Sequence, residues 1–490
     1  MNEHQDYLER RWQGLILLCF AQFIVVLDAS IVNVALPSIK DALDFSQDNL
    51  AWVVNAYVLT FGGFLLLGGR LADLLGRRRV FISGLLLVAV ASLAAGFAAN
   101  EGQLIVARAA QGLGAAIISP SALSIVMNTF RDGAERNKAL GAWGAVAGAG
   151  GAAGVLLGGV FTDGLGWEWV LWVNVPVALV AALLAPRLIA ESRSTSATRH
   201  FDAAGAVTVT ASLTVLVYAL VDATDAGWGS AQTLLLLGFS AALMAAFIAI
   251  ELRSDAPLVP FRIFRLRTLT GANVVGLLVG ASLFSMFFFI TLYLQQVLGY
   301  SAIEAGLSYL PLALSIIVAS AVGSVLVTRV GFKPGLAAGM VLIAAALVWF
   351  SRIPVDGGFL GDVLGPSLLA AAGLGFAFVT TTIAAVSGVE ERESGLASGL
   401  INTTQQIGGA LGLAVLATVA NSRTEDVLAG SEGGPPDAKL ALTEGFQSAF
   451  VGGAGIALLG LLLTFVLIRG SDSRAHVALG GAPQEQPVEV

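Results

Sequence analysis

The segment GRLADLLGRRR, residues 69–79, separates two long apolar runs at residues 50–69 and 80–99. Its five charged residues stand out, because only 12% of the 490 residues are charged and 56% are hydrophobic. A water-soluble domain has about 25% charged residues. Most of the surface of this chain is therefore expected to face lipid.

The same kind of apolar run recurs along the whole chain, fourteen times at about 17 residues or more. The runs cover residues 13–36, 50–69, 80–99, 103–129, 139–162, 169–185, 203–221, 232–250, 269–298, 305–327, 334–351, 363–388, 394–420 and 446–468. Because backbone groups in hydrocarbon need partners within their own segment, each run predicts a helix. The runs are continuous and do not alternate in polarity, which favours helices over strands.

Lysine and arginine concentrate in alternate loops. With the N-terminus in the cytoplasm, 21 of the 26 basic residues lie on the inner side, and the outer loops hold only Lys40, Arg352, Arg423 and Lys439. This predicts a multi-pass protein of the cytoplasmic membrane with both termini in the cytoplasm. The first run could instead be a signal peptide, but its length and the lack of a small-x-small cleavage site favour a span.

Several classes of function lack the residues that they need. Cys19 is the only cysteine, and His4, His200 and His476 lie outside the apolar runs, so no disulfide framework, metal site or other cofactor is expected. A net charge of −7 argues against a nucleic-acid partner. A membrane-embedded sensor or enzyme would need a large extramembrane domain or a catalytic cluster, and no loop is long enough to supply one.

A weak internal repeat relates the two ends of the chain. It pairs residues 255 positions apart, Asp73 with Thr328, Gly76 with Gly331 and Arg78 with Lys333. The Gly-Leu-Gly sequence at residues 112–114 likewise recurs at residues 373–375. Both pairs run in the same direction, which indicates a parallel repeat about an axis along the membrane normal, with the substrate site between the halves.

The offset is longer than six spans require, so spans 7 and 8 are an insertion. The chain is divided into a first six-helix bundle (1–190), linkers with the inserted spans (191–268), a second six-helix bundle (269–470) and a disordered cytoplasmic tail (471–490). Residues 421–445, on the outer side, are predicted to form a mobile loop.

In 317 span residues there are two charged side chains, Asp28 in span 1 and Arg108 in span 4. A charge in the membrane costs about 2.5 to 3.5 kcal/mol or more, so it is normally paired and functional. Asp28 is expected to take up and release a proton as the distance to Arg108 or the hydration of the site changes. The alternative is a purely structural ion pair, although such pairs stabilise poorly compared with apolar packing.

Several stretches together resemble the major facilitator superfamily, and within it the fourteen-span drug:proton antiporters. They are residues 69–79, LDASIVNVALP at 27–37, RAAQGLG at 108–114, WEW at 167–169 with NVP at 174–176, and GLASG at 395–399 with Gln405 and Gln406. The resemblance covers essentially the whole chain. Glu168 departs from it, since the family often has arginine there.

The resemblance implies an all-α membrane protein with the major facilitator fold, two six-helix bundles related by pseudo-two-fold symmetry plus two inserted central helices. In the loop at residues 69–79, it implies that Gly69 and Gly76 allow a tight turn and that Asp73 and Arg77, with Arg78, form an inner latch between the halves. The expected partners of the latch in the next inner loop are Arg131, Glu135 and Arg136. Alternatively, the three arginines only set the topology.

Span 5 resembles the antiporter motif of that family and contains Gly150, Gly154, Gly158 and Gly159. The family usually has Gly-Pro before the Gly-Gly pair, whereas Val155 follows Gly154 here. Small residues four apart let helices approach closely. The glycines of spans 5 and 13 are expected to form surfaces that slide between the halves, with static packing as the alternative.

Polar and aromatic residues inside apolar spans are the candidates for a substrate cavity. They are Gln22, Asn33, Asn55, Tyr57, Gln111, Phe287, Tyr293, Asn402 and Gln405. Gln22 and Asn33 share a face of span 1, and Asp28 lies roughly 120° to 140° away from them, directed into the bundle. The lack of a second carboxylate in the spans favours a lipophilic substrate that is neutral or weakly cationic.

These observations predict a multidrug:proton antiporter that exports lipophilic drug-like or antibiotic compounds by alternating access, driven by the proton gradient and without a cofactor. Its partners would be the substrate, protons and the bilayer, with no obligatory protein partner. Export of an endogenous metabolite or lipid, or proton symport, stays open as the alternative. Arginine outnumbers lysine 22 to 4, as is typical of a GC-rich bacterial genome.

Overall fold

The computed structural model describes residues 7, 9–45, 47–50, 52–131, 133–192, 202–254, 257–390, 393–429 and 438–481. Within these ranges all regular structure is helical. Fourteen long helices follow one another along the chain: α1 (Arg11–Leu43), α2 (Trp52–Leu75), α3 (Arg77–Gly96), α4 (Glu101–Thr129), α5 (Ala134–Gly164), α6 (Asn174–Leu188), α7 (Ala203–Ala226), α8 (Ala231–Glu251), α9 (Arg267–Leu292), α10 (Leu310–Val330), α11 (Phe332–Phe350), α12 (Leu364–Val386), α13 (Ser394–Ala429) and α14 (Ala438–Leu467).

The helices match the fourteen predicted spans in number and order. Thirteen helices of the described chain are long and apolar enough to cross a membrane. The fourteenth, α13, has 36 residues, but Asn402, Gln405 and Gln406 lower its hydropathy. The chain is therefore an all-helical, multi-pass membrane protein.

The packing of α1–α6 is repeated by α9–α14. In the first half, α1 packs on α5, both α2 and α3 pack on α4, and α3 also packs on α6. The equivalent contacts in the second half are those of α9 with α13, of α10 and α11 with α12, and of α11 with α14. The halves meet where α2 contacts α13 and where α5 contacts α10, which are equivalent pairs. The arrangement is the pseudo-two-fold one predicted from the sequence repeat.

The inserted helices lie against one of these two contacts. Helix α7 packs on both α2 and α13, and α8 packs on α7. The ring of Tyr218 stacks on Trp52 of the first half at 5.7 Å between centroids. In the turn after α7, Trp228 Nε1 donates a hydrogen bond to Thr418 Oγ1 of the second half at 2.8 Å. The insertion therefore contacts both halves.

The segment at residues 69–79 is more helical than a loop. Helix α2 continues to Leu75 and α3 begins at Arg77, so that Gly76 alone separates them. Gly76 has φ +108°, and its repeat equivalent Gly331, between α10 and α11, has φ +85°. Residues with a Cβ rarely adopt this region, which explains the glycines at both positions. The prediction that Gly69 also belongs to the turn was wrong, since it lies inside α2.

Two predicted irregular segments are shorter than expected. Residues 471–481 of the predicted disordered tail belong to a helix, α15 (Gly470–Gly481), and its buried Ser473 accepts a hydrogen bond from Lys333 N at 3.1 Å. The predicted outer loop at 421–445 is mostly helical because α13 and α14 continue into it, joined by Arg423 and Glu444 at 2.6 Å. Residues 430–437 and 482–490 lie outside the described residues, as do His4 and His200.

Candidate functional site

The two charges predicted within the spans form an ion pair inside the first half. Arg108 Nη1 of α4 lies 2.6 Å from Asp28 Oδ2 of α1, and the side chains are 0% and 2% exposed. Asp28 is therefore directed into the bundle, as the helical spacing predicted. A buried charge without a partner is strongly destabilising, so each residue depends on the other.

Two amides complete the surroundings of the carboxylate. Gln111 Nε2 donates to Asp28 Oδ1 at 3.1 Å, and Asn174 Nδ2 donates to the same oxygen at 2.6 Å. Gln111 is held in place by Ser92 Oγ, 2.7 Å from its Nε2, and by Arg108 Nη1, 2.9 Å from its Oε1. The carboxylate thus accepts three hydrogen bonds, one from a guanidinium and two from amides.

Helix α2 fixes the arginine from the other side. Arg108 Nε donates to the carbonyl of Val53 at 2.9 Å, and its guanidinium lies 4.6 Å from the centroid of the Tyr57 ring. The Tyr57 hydroxyl donates to the carbonyl of Val25 on α1 at 2.9 Å. Tyr57 and Gln111 were predicted to line the substrate cavity, but both are buried in this cluster.

The cluster joins four helices of the first half, three of them through the carboxylate of Asp28 and α2 through Arg108 and Tyr57. Residues come from α1, α2, α4 and α6, with Ser92 from α3 behind Gln111. If Asp28 takes up a proton, its attraction to Arg108 falls and the three donors lose an ionic acceptor. Protonation would therefore alter the packing of these helices against each other, which is what a coupling site requires.

A second buried carboxylate lies where α2 meets the second half. Asp73 Oδ1 accepts from Arg77 Nη2 at 2.9 Å and from the backbone N of Gly395 at 3.1 Å, and its Oδ2 accepts from Leu396 N at 3.1 Å. Gly395 and Leu396 are in the first turn of α13, where backbone N–H groups have no partner within the helix. Asp73 therefore closes the end of a helix of the opposite half, and the predicted pairing with Arg77 is present.

Small and polar residues bring the two halves close beside Asp73. A Cβ on Gly395 would lie 2.7 Å from the Asp73 carboxyl carbon, and one on Gly69 would lie 3.1 Å from the Gly395 carbonyl carbon. Ser124 of α4 and Ser394 of α13 have their hydroxyl oxygens 2.7 Å apart. This end of the bundle carries both described chain ends, and we call it the termini side. The halves are closed against each other there.

The arginines after Asp73 bind the end of the first half. Arg77 N donates to the carbonyl of Ser192 at 2.9 Å, and Arg78 N donates to Glu191 Oε1 at 3.2 Å. Arg78 also donates to the carbonyl of Ile189 at 3.0 Å. The predicted partners of the latch have other contacts. Glu135 pairs with Arg11 at 2.5 Å, and Arg136 Nε donates to the carbonyl of Phe130. Within the described residues, no contact between Arg131 and the latch is seen.

The repeat has the same device in the second half. Lys333, the equivalent of Arg78, donates from Nζ to the carbonyls of Phe465 and Ile468 at 3.1 and 2.5 Å. In each half a cation thus binds carbonyls at the end of the last helix, where the helix dipole favours positive charge.

The glycines of the antiporter motif pack mostly within the first half. A Cβ on Gly150 would lie 2.8 Å from Val26 of α1, and one on Gly158 would lie 2.8 Å from the Ile31 carbonyl oxygen. Gly154 faces Ser30 in the same row. The prediction that this row slides between the halves is corrected for these three residues. Only Gly159 faces the second half, with Ile303 as its neighbour at 2.8 Å.

The remaining cavity candidates differ in burial and in their partners. Asn33 is exposed and bonds its own helix, Gln22 and Gln405 are buried with a side-chain atom unpartnered, and Asn55 is half-buried. Phe287 stacks on Tyr309 at 5.3 Å between centroids. Tyr293 and Asn402 are held by protein groups, the Tyr293 hydroxyl by the Pro354 carbonyl at 2.6 Å and Asn402 Oδ1 by Ser119 Oγ at 3.3 Å. Among the described residues, no hydrogen bond or ring contact joins two of these nine side chains to each other.

Sequence reasoning missed Asn174, Ser92 and Glu191 as site residues. The Asn-Val-Pro stretch that begins at Asn174 carried part of the resemblance, and this was the only signal available. Ser92 and Glu191 are ordinary residues of a span and a loop. Among the described residues, no group of three or more His, Cys, Asp or Glu side chains could hold a metal ion.

Comparison with known proteins gives a family match over most of the chain. A model of the Major Facilitator Superfamily matches residues 18–413. A cephamycin export protein of Amycolatopsis lactamdurans is 42% identical over 457 residues, which are 93% of this chain and 92% of that protein. A puromycin resistance protein of Streptomyces alboniger is 38% identical over 472 residues, which are 96% and 93% of the two chains.

Solved structures of transporters share the fold. The human organic anion transporter MFSD10 has a TM-score of 0.63 and 16% identity, over 95% of this chain and 100% of that one. The proton:xylose symporter XylE has a TM-score of 0.64 and 12% identity, over 96% and 99%. At these identities the likeness concerns the fold alone.

Proposed function

The chain belongs to the major facilitator superfamily and is a membrane transporter rather than an enzyme, and from this premise we propose that it exports lipophilic, drug-like compounds in exchange for protons. The substrate class rests on the relatives, which include an export protein for cephamycin and a resistance protein for puromycin. The transporter would work in the cytoplasmic membrane with both termini in the cytoplasm, as the distribution of basic residues indicates. It would use the proton gradient and no cofactor.

The observation that carries proton coupling is the buried Asp28, paired with Arg108 and bonded by two amides. Asp28 is a titratable group, and the fourteen predicted spans contain only one other charged side chain, Arg108. Loss of the charge on protonation weakens the contacts of α1 with α4 and α6 at once. A purely structural ion pair is the alternative, although such pairs stabilise less than apolar packing of similar volume.

A contiguous path of packed residues runs from this site to the second half. Helix α1 carries Asp28 and packs closely on the glycines of α5. Helix α5 in turn meets the second half through Asn137, whose Nδ2 donates to Thr328 Oγ1 of α10 at 3.0 Å. A shift of α1 that follows protonation is thus transmitted to α5 and to the contact between the halves.

The latch at Asp73 gives the two conformations a defined difference. With Asp73 bound to Gly395 and Leu396, the termini side is closed, and the binding region can open only on the opposite side. Rocking of the halves that breaks these bonds would open the termini side. The alternation between these states exports the substrate if proton entry accompanies its release.

The test uses inverted membrane vesicles from a bacterium that lacks its own drug pumps. Vesicles with the wild-type protein should accumulate labelled puromycin when a proton gradient is imposed, and an uncoupler should abolish the accumulation. Uptake that ignores the uncoupler would contradict the proposal. A probe set with puromycin, a cephamycin and ethidium distinguishes a broad drug exporter from one dedicated to a single compound.

The variant Asp28→Asn tests the role of the carboxylate. We expect it to abolish uphill transport, because an amide cannot exchange a proton, while downhill exchange of substrate stays measurable. Asn273→Leu, in the second half, is a control for the loss of a buried polar contact and should keep its coupling. Undiminished uphill transport by Asp28→Asn would remove Asp28 from the mechanism.

Export of a compound that the host itself makes is the second candidate. The name of the cephamycin relative describes export of one compound rather than resistance to many. If puromycin and ethidium are not transported but one compound of a given chemical class is, this candidate replaces the first.

A further inference from the structure

We propose that Asn174 is a positioning residue for Asp28 that reverses its side-chain amide when the carboxyl group gains a proton. The proposal rests on the role of Asp28 given above and adds a residue and a movement to it. Asn174 is the first residue of α6 and is fully buried, 0% exposed. Its Nδ2 is 2.6 Å from Asp28 Oδ1, among the shortest contacts of the carboxylate.

The protonation of a carboxyl group changes what its neighbours must offer. The ionised group only accepts hydrogen bonds, whereas the acid also has an O–H that must donate. In the described structure all three groups around Asp28 are donors to it. A proton on Oδ1 would therefore face two N–H groups, unless one neighbour presents an oxygen instead.

Of the three neighbours, only Asn174 can do so without breaking another bond. Arg108 has no acceptor atom. Gln111 is fixed at both ends, since its Oε1 accepts from Arg108 at 2.9 Å and its Nε2 donates to Ser92 at 2.7 Å. Asn174 Oδ1 has no hydrogen-bond partner in the described structure although it is buried. A rotation of the amide by about 180°, around a torsion that is broad and nearly two-fold, brings this oxygen to Asp28.

The charged and titratable groups next to Asp28 are Arg108 on α4 and Tyr57 on α2, while α5 presents glycines to α1 and α6 presents the Asn174 amide. The proton comes from the aqueous phase on one side and leaves to the other, so no further reactant is needed. Asn174 thus gives Asp28 one good hydrogen bond in each protonation state.

The surrounding segment holds Asn174 in place. The preceding turn, Trp169–Trp172, places the Trp172 indole against α3, where a Cβ on Gly96 would lie 2.5 Å from the indole Cδ1, and the ring is 5.0 Å from that of Phe97. Asn174 then begins α6, and its amide reaches Asp28 on α1. The packing of this turn holds the backbone of Asn174 beside Asp28, and the proposed movement involves the terminal amide alone.

The test is an infrared titration of the whole protein in lipid. The carboxylic acid band that disappears in Asp28→Asn reports the protonation of Asp28. In Asn174→Leu, which has a similar size and neither donor nor acceptor, the midpoint should move up by about one pH unit, or tenfold in proton affinity. The acid band should also move to higher frequency, since its O–H has lost an acceptor. Asn273→Leu, a matched loss of a buried amide in the second half, should change neither.

An unchanged midpoint and band in Asn174→Leu would overturn the proposal. If that variant does not fold, the amide reversal can be tested in wild-type protein that carries ¹³C in its asparagine side-chain carbonyls. An asparagine carbonyl band should shift at the midpoint of Asp28 and not in Asp28→Asn, and no such shift would refute the reversal. The coupling role of Asp28 is tested separately in vesicles. Uphill puromycin transport by Asp28→Asn would contradict that role, whereas the result of the titration for Asn174 would still hold.

Discussion

The variant Asp73→Asn should open the termini side of the transporter. Asp73 uses both carboxylate oxygens across the contact between halves, with Gly395 N and Leu396 N each at 3.1 Å. Asparagine keeps one oxygen and turns an NH₂ group toward the other N–H. Its neutral side chain also no longer pairs with Arg77, but that contact lies within the first half and does not join the two halves.

The size of the effect follows from the bonds that exist only in the closed state. One hydrogen bond to a charged group is lost, which contributes about 1.5–3 kcal/mol. Since 1.4 kcal/mol corresponds to a factor of ten, the closed conformation should lose about tenfold to a hundredfold or more in population relative to the open one. A state that holds about 99% of the molecules would fall to about half at a hundredfold change.

Distances between spin labels measure this change directly. Leu75 at the end of α2 and Val330 at the end of α10 are exposed, 58% and 44%, and lie in different halves on the termini side. After replacement of Cys19 by serine, labels at these two positions in lipid nanodiscs should show a longer distance in Asp73→Asn than in the otherwise wild-type protein.

Glu191→Gln is the matched control. Its carboxylate also accepts a backbone N–H at the start of a helix, from Arg78 at 3.2 Å, but all its partners belong to the first half. It should leave the distance distribution unchanged. If Asp73→Asn behaves like Glu191→Gln, the contact with α13 does not hold the halves together and the reasoning is refuted.

Three further variants follow from the same geometry. Gly69→Ala should impair closure and transport, because its methyl group would meet the backbone of Gly395, whereas Gly151→Ala, with nothing within 4 Å of the added atom, should transport normally in the same vesicle assay. Arg108→Lys should lose most coupled transport although it keeps the charge. A lysine ammonium group cannot bond Asp28, Gln111 and the Val53 carbonyl at the same time. Transport at the wild-type rate by this variant would contradict the reasoning. Arg262→Gln should change closure less than tenfold in the spin-label assay, because the arginine is 55% exposed and exposed pairs contribute about 0–1 kcal/mol.

Helix positions were predictable where the requirement is local. The runs around residues 50–69 and 80–99 became α2 and α3, because a backbone in hydrocarbon must bond within its own segment. The ends were less predictable. Helix α13 continues to Ala429 beyond its apolar run, and its Arg423 pairs there with Glu444 of α14, so apolar length does not mark the end of this helix.

The site was predictable in part. Asp28 and Arg108 were found because charges in spans are rare, and the helical spacing placed Asp28 toward the bundle. Tyr57 and Gln111 were assigned to a cavity because a polar residue in a span has the same sequence signal whether it faces a substrate or another side chain. Nothing in the sequence indicated which donors would reach Asp28.

The sequence by itself determined the number of spans, the family and the two charges in the membrane, because lipid acts on each segment separately. Only the tertiary structure decided that Asn174 donates to Asp28 from 146 positions away, and that Asp73 closes a helix 322 positions further along the chain. These contacts depend on the rotation and height of each helix relative to its neighbours. Those quantities are set by the packing of all fourteen helices together, through close approaches such as that of Gly69 and Gly395.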